Sequence, residues 1–309
     1  MQKKIYDIAI IGGGPAGLTA GIYSARAMYE TIMVTGGFPG GQIMQADTVE
    51  NYPGFPEAIS GLDLGTKMYE QADRFGMNMF YANVTKIEQE SDIKVLITDM
   101  DTKIYAKTVI IASGASAKKL DVKREELFLG KGVSYCATCD GALFKEKEIA
   151  VVGGGDTAVE DAVFLTKFAR KVHIVHRRDK FRASKIVQMR AFDNDKIQVH
   201  WNSAVDEIIG EEVVTGLKLK NTQNGSASEL SCDGVFILIG TVPNSDFVKP
   251  FIKTDENGYI FTDYHMATNI TGIYAAGDVI AKDFRQVATA VGDGANAYFW
   301  AERYLEGLE

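Results

Sequence analysis

Cys136-Ala137-Thr138-Cys139-Asp140 is the stretch of this 309-residue sequence with the most definite chemistry. Two cysteines separated by two residues suit a small disulfide ring that opens and closes reversibly, and such a setting lowers the pKa of one thiol. Half of a zinc site is the rival reading, and it requires two further ligands. Cys232 stands alone, and His173, His176, His200 and His265 show no paired ligand spacing, so no metal is expected. The remaining reading is an inert buried pair, which rarely takes the form C-x-x-C beside an acid. Asp140 is placed to trade protons with a thiolate as a general acid–base; an exposed helix-capping aspartate is the alternative. Cys232, after a polar turn at a strand start, is expected to be structural. No Ser-His-Asp set is discernible, so acyl-transfer hydrolysis has no support.

Gly12-Gly13-Gly14-Pro15-Ala16-Gly17 follows a short apolar run and has the full G-x-G-x-x-G spacing. With a strand before and a helix after, such glycines let the backbone approach a pyrophosphate lying at a positive helix N-terminus; without a nucleotide they would make an ordinary tight turn. The next strand, 31–34, ends in Thr35-Gly36, with no acid to hold a ribose hydroxyl. A second loop, Gly153-Gly154-Gly155-Asp156-Thr157-Ala158, ends in alanine, a variant the motif allows. Its following strand, 171–175, leads into His176-Arg177-Arg178, with Arg182 beyond. Arginines at this position hold the 2′-phosphate of NADP through charge-assisted hydrogen bonds; a solvated basic turn is the bland reading. Two sites, one selective for NADPH, suggest hydride passing to a second nucleotide cofactor, most simply FAD.

These residues need elements to hold them. Strands are expected over 6–11, 31–34, 107–112, 149–152, 171–175, 234–239 and 272–276, and helices over 18–28, from 158 to about 169, and from 286 to 305. The third strand ends in Ser113-Gly114, the sixth in Ile239-Gly240 and the last in Gly277-Asp278. Strands alternating with helical patterns indicate parallel α/β sheets. One strand–loop–helix unit occurs twice, too far apart for a solenoid. The expected fold is therefore α/β with two Rossmann-like dinucleotide-binding domains. A discontinuous FAD domain comprises 1–115 and 245–309, and an NADPH domain, 116–244, is inserted into it and carries the redox disulfide. Crossings between them are expected near 113–119 and 241–246, and 221–228 reads as a polar hairpin turn.

Composition excludes other classes. The chain is 46% hydrophobic and 24% charged, the balance of a globular protein and not of a disordered one. A net charge of −8 argues against a nucleic-acid-binding face. Three cysteines do not make a secreted disulfide framework. Residues 8–25 are uncharged, but five glycines and Pro15 break any spanning helix there. The apolar run after the basic start is too short for a signal-peptide core, so no membrane association and a cytoplasmic location are expected.

Taken together, Gly12 to Gly17, Gly41-Gln42, Glu50-Asn51-Tyr52-Pro53-Gly54, Cys136 to Gly141, Gly153 to Glu160, His176 to Arg182, Gly277-Asp278 and Arg285-Gln286-Val287-Ala288 resemble the low-molecular-weight, bacterial-type thioredoxin reductases over nearly the whole chain. The resemblance implies an FAD-containing homodimer that uses NADPH to reduce its disulfide and then thioredoxin. By it, Cys139 lies nearer the flavin, Cys136 attacks the thioredoxin disulfide and Asp140 manages protons. The FAD set it implies is Gly12, Gly14, Pro15, Ala16, Gly17, Gly41, Gln42, Asn51, Val84, Gly114, Gly277, Asp278, Gln286, Val287 and Ala288. The NADPH set is Gly153, Gly154, Gly155, Asp156, Thr157, Ala158, His176, Arg177, Arg178, Arg182, Ile239 and Gly240. Ser113-Gly114 stands where the family usually has Thr-Gly. Ala142-Leu143 stands where close relatives often carry aromatic residues that touch thioredoxin. A reductase of another dithiol carrier, glutaredoxin-like or peroxiredoxin-linked, is the alternative, and a redox sensor without turnover is a more distant one.

The order of motifs adds a mechanical expectation. The disulfide and the NADPH loop share the inserted domain, while the flavin belongs to the other. Both groups must meet one flavin and cannot occupy the same space against it. The inserted domain is therefore expected to swivel on its two connecting strands.

Overall fold

The computed structural model describes residues 3–46, 49 and 51–307, and Glu50 of the motif noted above lies outside them. The chain divides into two compact units, Met1–Ser116 with Val242–Glu309, and Ala117–Thr241.

The first unit opens with β1 (Ile5–Ile11), α1 (Pro15–Arg26), β2 (Thr31–Thr35), α2 (Gly61–Arg74), β3 (Asn78–Tyr81), β4 (Val84–Glu90), β5 (Ile93–Thr98), β6 (Lys103–Ile111) and β7 (Ala115–Ala117). Helix α1 begins three residues before the apolar stretch at 18, because Pro15 has the fixed φ that suits a first helical position. It ends at Arg26, ahead of Met28 in the left-handed region. Helix α2 is capped by Ser60, whose hydroxyl accepts from the Asp63 amide at 3.0 Å. β3, β2, β1 and β6 lie side by side and parallel, and β5 and β4 continue the sheet antiparallel beyond the first half of β6.

The second unit holds β8 (Val133–Ser134), α3 (Ala137–Asp140), β9 (Glu148–Val152), α4 (Asp156–Leu165), β10 (Lys171–Val175), α5 (Lys185–Phe192), β11 (Ile197–His200), β12 (Ser203–Gly210), β13 (Val214–Asn221), β14 (Ala227–Ser231) and β15 (Gly234–Ile237). Its parallel sheet has the order β11-β10-β9-β15-β8. β12, β13 and β14 form an antiparallel meander that covers one face.

The chain then returns to the first unit through β16 (Thr241–Pro243), β17 (Ile273–Ala275) and α6 (Val287–Leu305). β17 lies parallel to the second half of β6, Ile273 opposite Val109, so the edge that β5 leaves is filled. β16 pairs with β7 in a two-stranded sheet, so both chain crossings run as one ribbon. The division falls at 116/117 and 241/242 because Asn244 belongs with the first unit. Its amide donates to Gly114 O at 2.9 Å, its side chain to Ser113 O at 2.9 Å, and its carbonyl accepts from the Ser113 hydroxyl at 2.7 Å.

Both parallel sheets are buried on two faces, which is why their strands read as unbroken apolar runs. In β1, Ile8 and Ile10 face a core shared with α1, α2 and α6, while Ala9 and Ile11 face the opposite core. In β9, Ile149 and Val151 pack under α4 and α5, and Ala150 and Val152 pack on the meander.

Candidate active site

In the first unit the expected flavin residues collect beyond the carboxyl ends of the parallel strands, where ligands bind in open α/β sheets. The glycine loop follows β1, Gly114 follows β6, and Gly277-Asp278 follows β17. Gly12 has φ +107°, and a Cβ there would stand 2.3 Å from Ala112 O; a Cβ on Gly17 would stand 1.9 Å from Gly12 O. Only hydrogen fits at either place, so strand, loop and helix pack at van der Waals distance. Helix α1 has no side-chain cap and no acid in its first turn, which leaves its amides and its positive end free for a phosphate.

Gly41 lies against this loop, where a Cβ would stand 2.8 Å from Gly14 Cα. Gly41 and Gln42 open a 3₁₀ turn, Gly41–Gln45, and the Gln42 amide donates to Ala115 O at 2.6 Å. Asn51 donates to the Gln286 side chain at 3.1 Å. Gln286 caps α6 through a reciprocal box with Thr289, and Val287 and Ala288 form the first turn. Val84 is buried at the start of β4. Asp278 Oδ1 is buried and accepts no hydrogen bond among the described residues, although Lys282 Nζ stands 3.4 Å away as an ion pair. Burial pushes the Asp278 carboxyl above its ordinary pKa, against the pull of Lys282. A buried acceptor with unused capacity beside a tight glycine loop fits a nucleotide that brings hydroxyl donors. Lys282 and Asp293 had not been expected here. Lys282 Nζ lies 2.8 Å from Asp293 Oδ2, which also accepts the Gly277 amide at 3.2 Å. The only sequence signal was the i, i+4 spacing of Asp278 and Lys282.

In the second unit, β8 ends two residues before Cys136 and β9 ends at the Gly153 loop, both on the carboxyl edge of one parallel sheet. Cys136 and Cys139 form a disulfide with Sγ–Sγ 2.14 Å and Cα–Cα 5.3 Å. Cys136 is the N-cap of α3, and Asp140, its last residue, donates its amide to Cys136 O at 3.2 Å. Ser134, which no motif flags, joins the parts: its hydroxyl donates to Asp140 Oδ2 at 2.6 Å and accepts from the Cys136 amide at 3.0 Å. Cys232 is buried in the core beneath the meander, and burial pushes its thiol up to about 12. Among the described residues no cluster of three His, Cys, Asp or Glu side chains is spaced to hold a metal.

The loop after β9 opens α4 without a side-chain cap: Gly155 is the N-cap, and Asp156, Thr157 and Ala158 lead the helix. The Asp156 carboxylate accepts the Ser184 amide at 2.8 Å, and Gly154 O accepts the Arg182 amide at 2.8 Å, so the arginine segment is tied to the loop. Arg177, Arg178 and Arg182 are exposed, and none forms an ion pair among the described residues. His176 sits differently from the arginines. It is buried against Gly154, where a Cβ would stand 2.3 Å from its ring, and it meets Phe181 at a tilt and Trp201 edge to face. Burial, with Arg178 and Arg177 adding to it, lowers its pKa, so a neutral imidazole supports the loop and the arginines carry the charge. Ile239 and Gly240 follow β15 on the same edge.

Two parallel-sheet units, each with a glycine loop at its carboxyl edge, and a disulfide beside one of them define a pyridine nucleotide-disulphide oxidoreductase, and residues 6–294 match the model of that family. The chain is 49% identical to the thioredoxin reductase of Listeria monocytogenes serovar 1/2a, covering all of this chain and 96% of that one. It is equally identical to that of Bacillus subtilis strain 168, covering all of this chain and 97% of the relative. The solved thioredoxin reductase of Streptococcus pyogenes MGAS5005 is 48% identical and superposes with a TM-score of 0.94 over 99% of this chain and 100% of that one. The chain belongs to the bacterial-type thioredoxin reductase family. Membership implies a flavin and a pyridine nucleotide as cofactors.

Proposed function

We propose that this chain passes electrons from NADPH through FAD and the Cys136–Cys139 disulfide to thioredoxin. The observation that carries this reading is the disulfide on the same sheet edge as the Gly153 loop, with exposed arginines tied to that loop. A flavin held by the first unit would supply hydride acceptance from the nicotinamide and two-electron reduction of the disulfide.

The residues of the chain do the rest. The loop from Gly12 to Gly17 and the end of α1 would hold the FAD pyrophosphate, with Asp278, Gln42, Asn51 and Gln286 around the remainder. Arg177, Arg178 and Arg182 would hold the 2′-phosphate of NADPH. Two electrons and two protons open the Cys136–Cys139 bond to a dithiol. The Cys136 thiolate then attacks the thioredoxin disulfide, and the displaced sulfur takes a proton. Attack of Cys139 on Cys136 Sγ restores the ring and frees the second thioredoxin thiol. Asp140, held by Ser134, keeps the proton that these exchanges release and consume.

Since the disulfide and the NADPH loop belong to one unit and the FAD loop to the other, the inserted unit turns on β7 and β16 to present each group in turn. The resemblance supports a homodimer acting in the cytoplasm. Among the described residues no helix is long and apolar enough to cross a membrane. The purified protein should be yellow, bleach with NADPH, and regain colour when oxidised thioredoxin is added. A colourless protein, or one whose spectrum ignores NADPH, would refute the reading; recolouring by glutaredoxin but not thioredoxin would replace only the partner.

A further inference from the structure

The first unit lacks one part of the usual nucleotide recognition set. A strand in the position of β2 ordinarily ends at a carboxylate that accepts a hydrogen bond from the adenosine ribose. Here it ends in Thr35-Gly36-Gly37. Thr35 does not substitute, because its side chain is buried and its hydroxyl donates to Gly37 O at 3.2 Å.

An acceptor arrives from the neighbouring strand instead. β3 runs parallel to β2 with Tyr81 opposite Thr35, and Asn83 follows two residues later. A Cβ on Gly36 would stand 1.8 Å from Asn83 Oδ1, so the amide oxygen lies directly over the end of β2. Its orientation is decided by Asp99. Asn83 Nδ2 donates to Asp99 Oδ2 at 2.8 Å, the Asn83 amide donates to Asp99 Oδ1 at 3.0 Å, and the Asp99 amide donates to Asn83 O at 2.9 Å. Only the NH₂ end can face a carboxylate, so Oδ1 is the end turned to Gly36. Those same bonds hold the Asp99 carboxyl below its ordinary pKa, which keeps the lock closed at neutral pH. Gly36, Asn83 and Asp99 are all exposed, so the acceptor is open to a ligand.

We propose that Asn83 Oδ1, oriented by Asp99 over Gly36, accepts the hydrogen bond from an adenosine ribose hydroxyl of FAD, in place of the acid that β2 lacks. Gly36 is then glycine because any side chain would expel the acceptor. The inference rests on the reading of the first unit as the FAD site.

The test is equilibrium fluorescence titration of the full-length chain, freed of flavin, with FAD, with FAD analogues lacking the adenosine 2′- or 3′-hydroxyl, and with FMN. Asn83→Ala should weaken FAD binding roughly three- to tenfold, the worth of one hydrogen bond, and should leave FMN binding unchanged. It should also abolish the preference of the unaltered chain for FAD over one of the deoxy analogues. Asp99→Ala should reproduce part of the loss. Unchanged FAD affinity in Asn83→Ala would overturn the inference, as would an equal loss for FAD, the analogues and FMN. An unaltered chain that takes FMN but not FAD, or no flavin, would overturn the FAD reading itself and this inference with it.

Discussion

The Ser134 hydroxyl donates to the Asp140 carboxylate across 2.6 Å, and the same oxygen accepts the Cys136 amide. One side chain thus ties the Asp140 carboxylate to the backbone of Cys136, the residues proposed to handle the proton and to attack thioredoxin. A hydrogen bond to a charged group is worth about 1.5–3 kcal/mol. Ser134→Ala should slow thioredoxin reduction roughly tenfold or more and leave flavin reduction by NADPH intact. Ser134→Thr, which keeps the hydroxyl, should restore the rate. Equal slowing of flavin reduction and thioredoxin reduction would show a merely structural role.

Cys139→Ser separates the two halves of the reaction. NADPH should still bleach the flavin, while thioredoxin reduction should vanish. Thioredoxin reduced at a normal rate by this variant would remove the dithiol from the mechanism.

Charge selectivity should follow the arginines and spare the buried imidazole. Arg177→Ala with Arg178→Ala should cost NADPH binding about 1.5–3 kcal/mol per charged hydrogen bond and leave NADH almost untouched. His176→Ala should instead weaken both nucleotides and lower stability, because it removes the ring packed against Gly154. The ratio of KM values for the two nucleotides decides between these outcomes.

Burial, with Glu160 beside it, pushes the Asp161 carboxyl on α4 up to about 6. In the unfolded chain it titrates at the ordinary value of 3.8. Between these values the native state holds a proton the unfolded state has lost, so this group costs stability as pH rises toward and beyond about 6. Asp161→Asn should therefore raise the melting temperature at pH 8, by about 1–2 kcal/mol in stability, and change little near pH 4. Equal effects at both pH values would exclude the linkage.

The proposed turning of the inserted unit is open to a covalent test. A cross-link that fixes the two units in one orientation should block turnover while sparing one half-reaction, measured by stopped-flow absorbance. Full turnover in the cross-linked protein would end that proposal.

Much of the site was legible because it is written in short range. The Cys136-x-x-Cys139 ring, the two glycine loops and the arginines beyond β10 each depend on residues within a few positions of one another, whose spacing dictates a turn, a cap or a disulfide. Their order also implied an inserted unit. The chain passes between the units at 116/117 and 241/242, Asn244 being held to the first unit by bonds to Ser113 and Gly114. Of the meander β12–β14 only the hairpin turn at 221–228 was legible, and the helices α2 and α5 went unread, since short or weakly patterned segments declare themselves only when a core needs covering.

Local spacing alone encoded the sulfur pair, the two glycine loops and the duplication of the unit, because the backbone geometry each requires lies in neighbouring residues. The tertiary structure decided what lies across strands: Asn83 over Gly36, Ser134 between Cys136 and Asp140, Lys282 beside Asp293, and His176 turned under its loop. Those pairings follow from strand order and register, which bring together side chains whose separation along the chain carries no period.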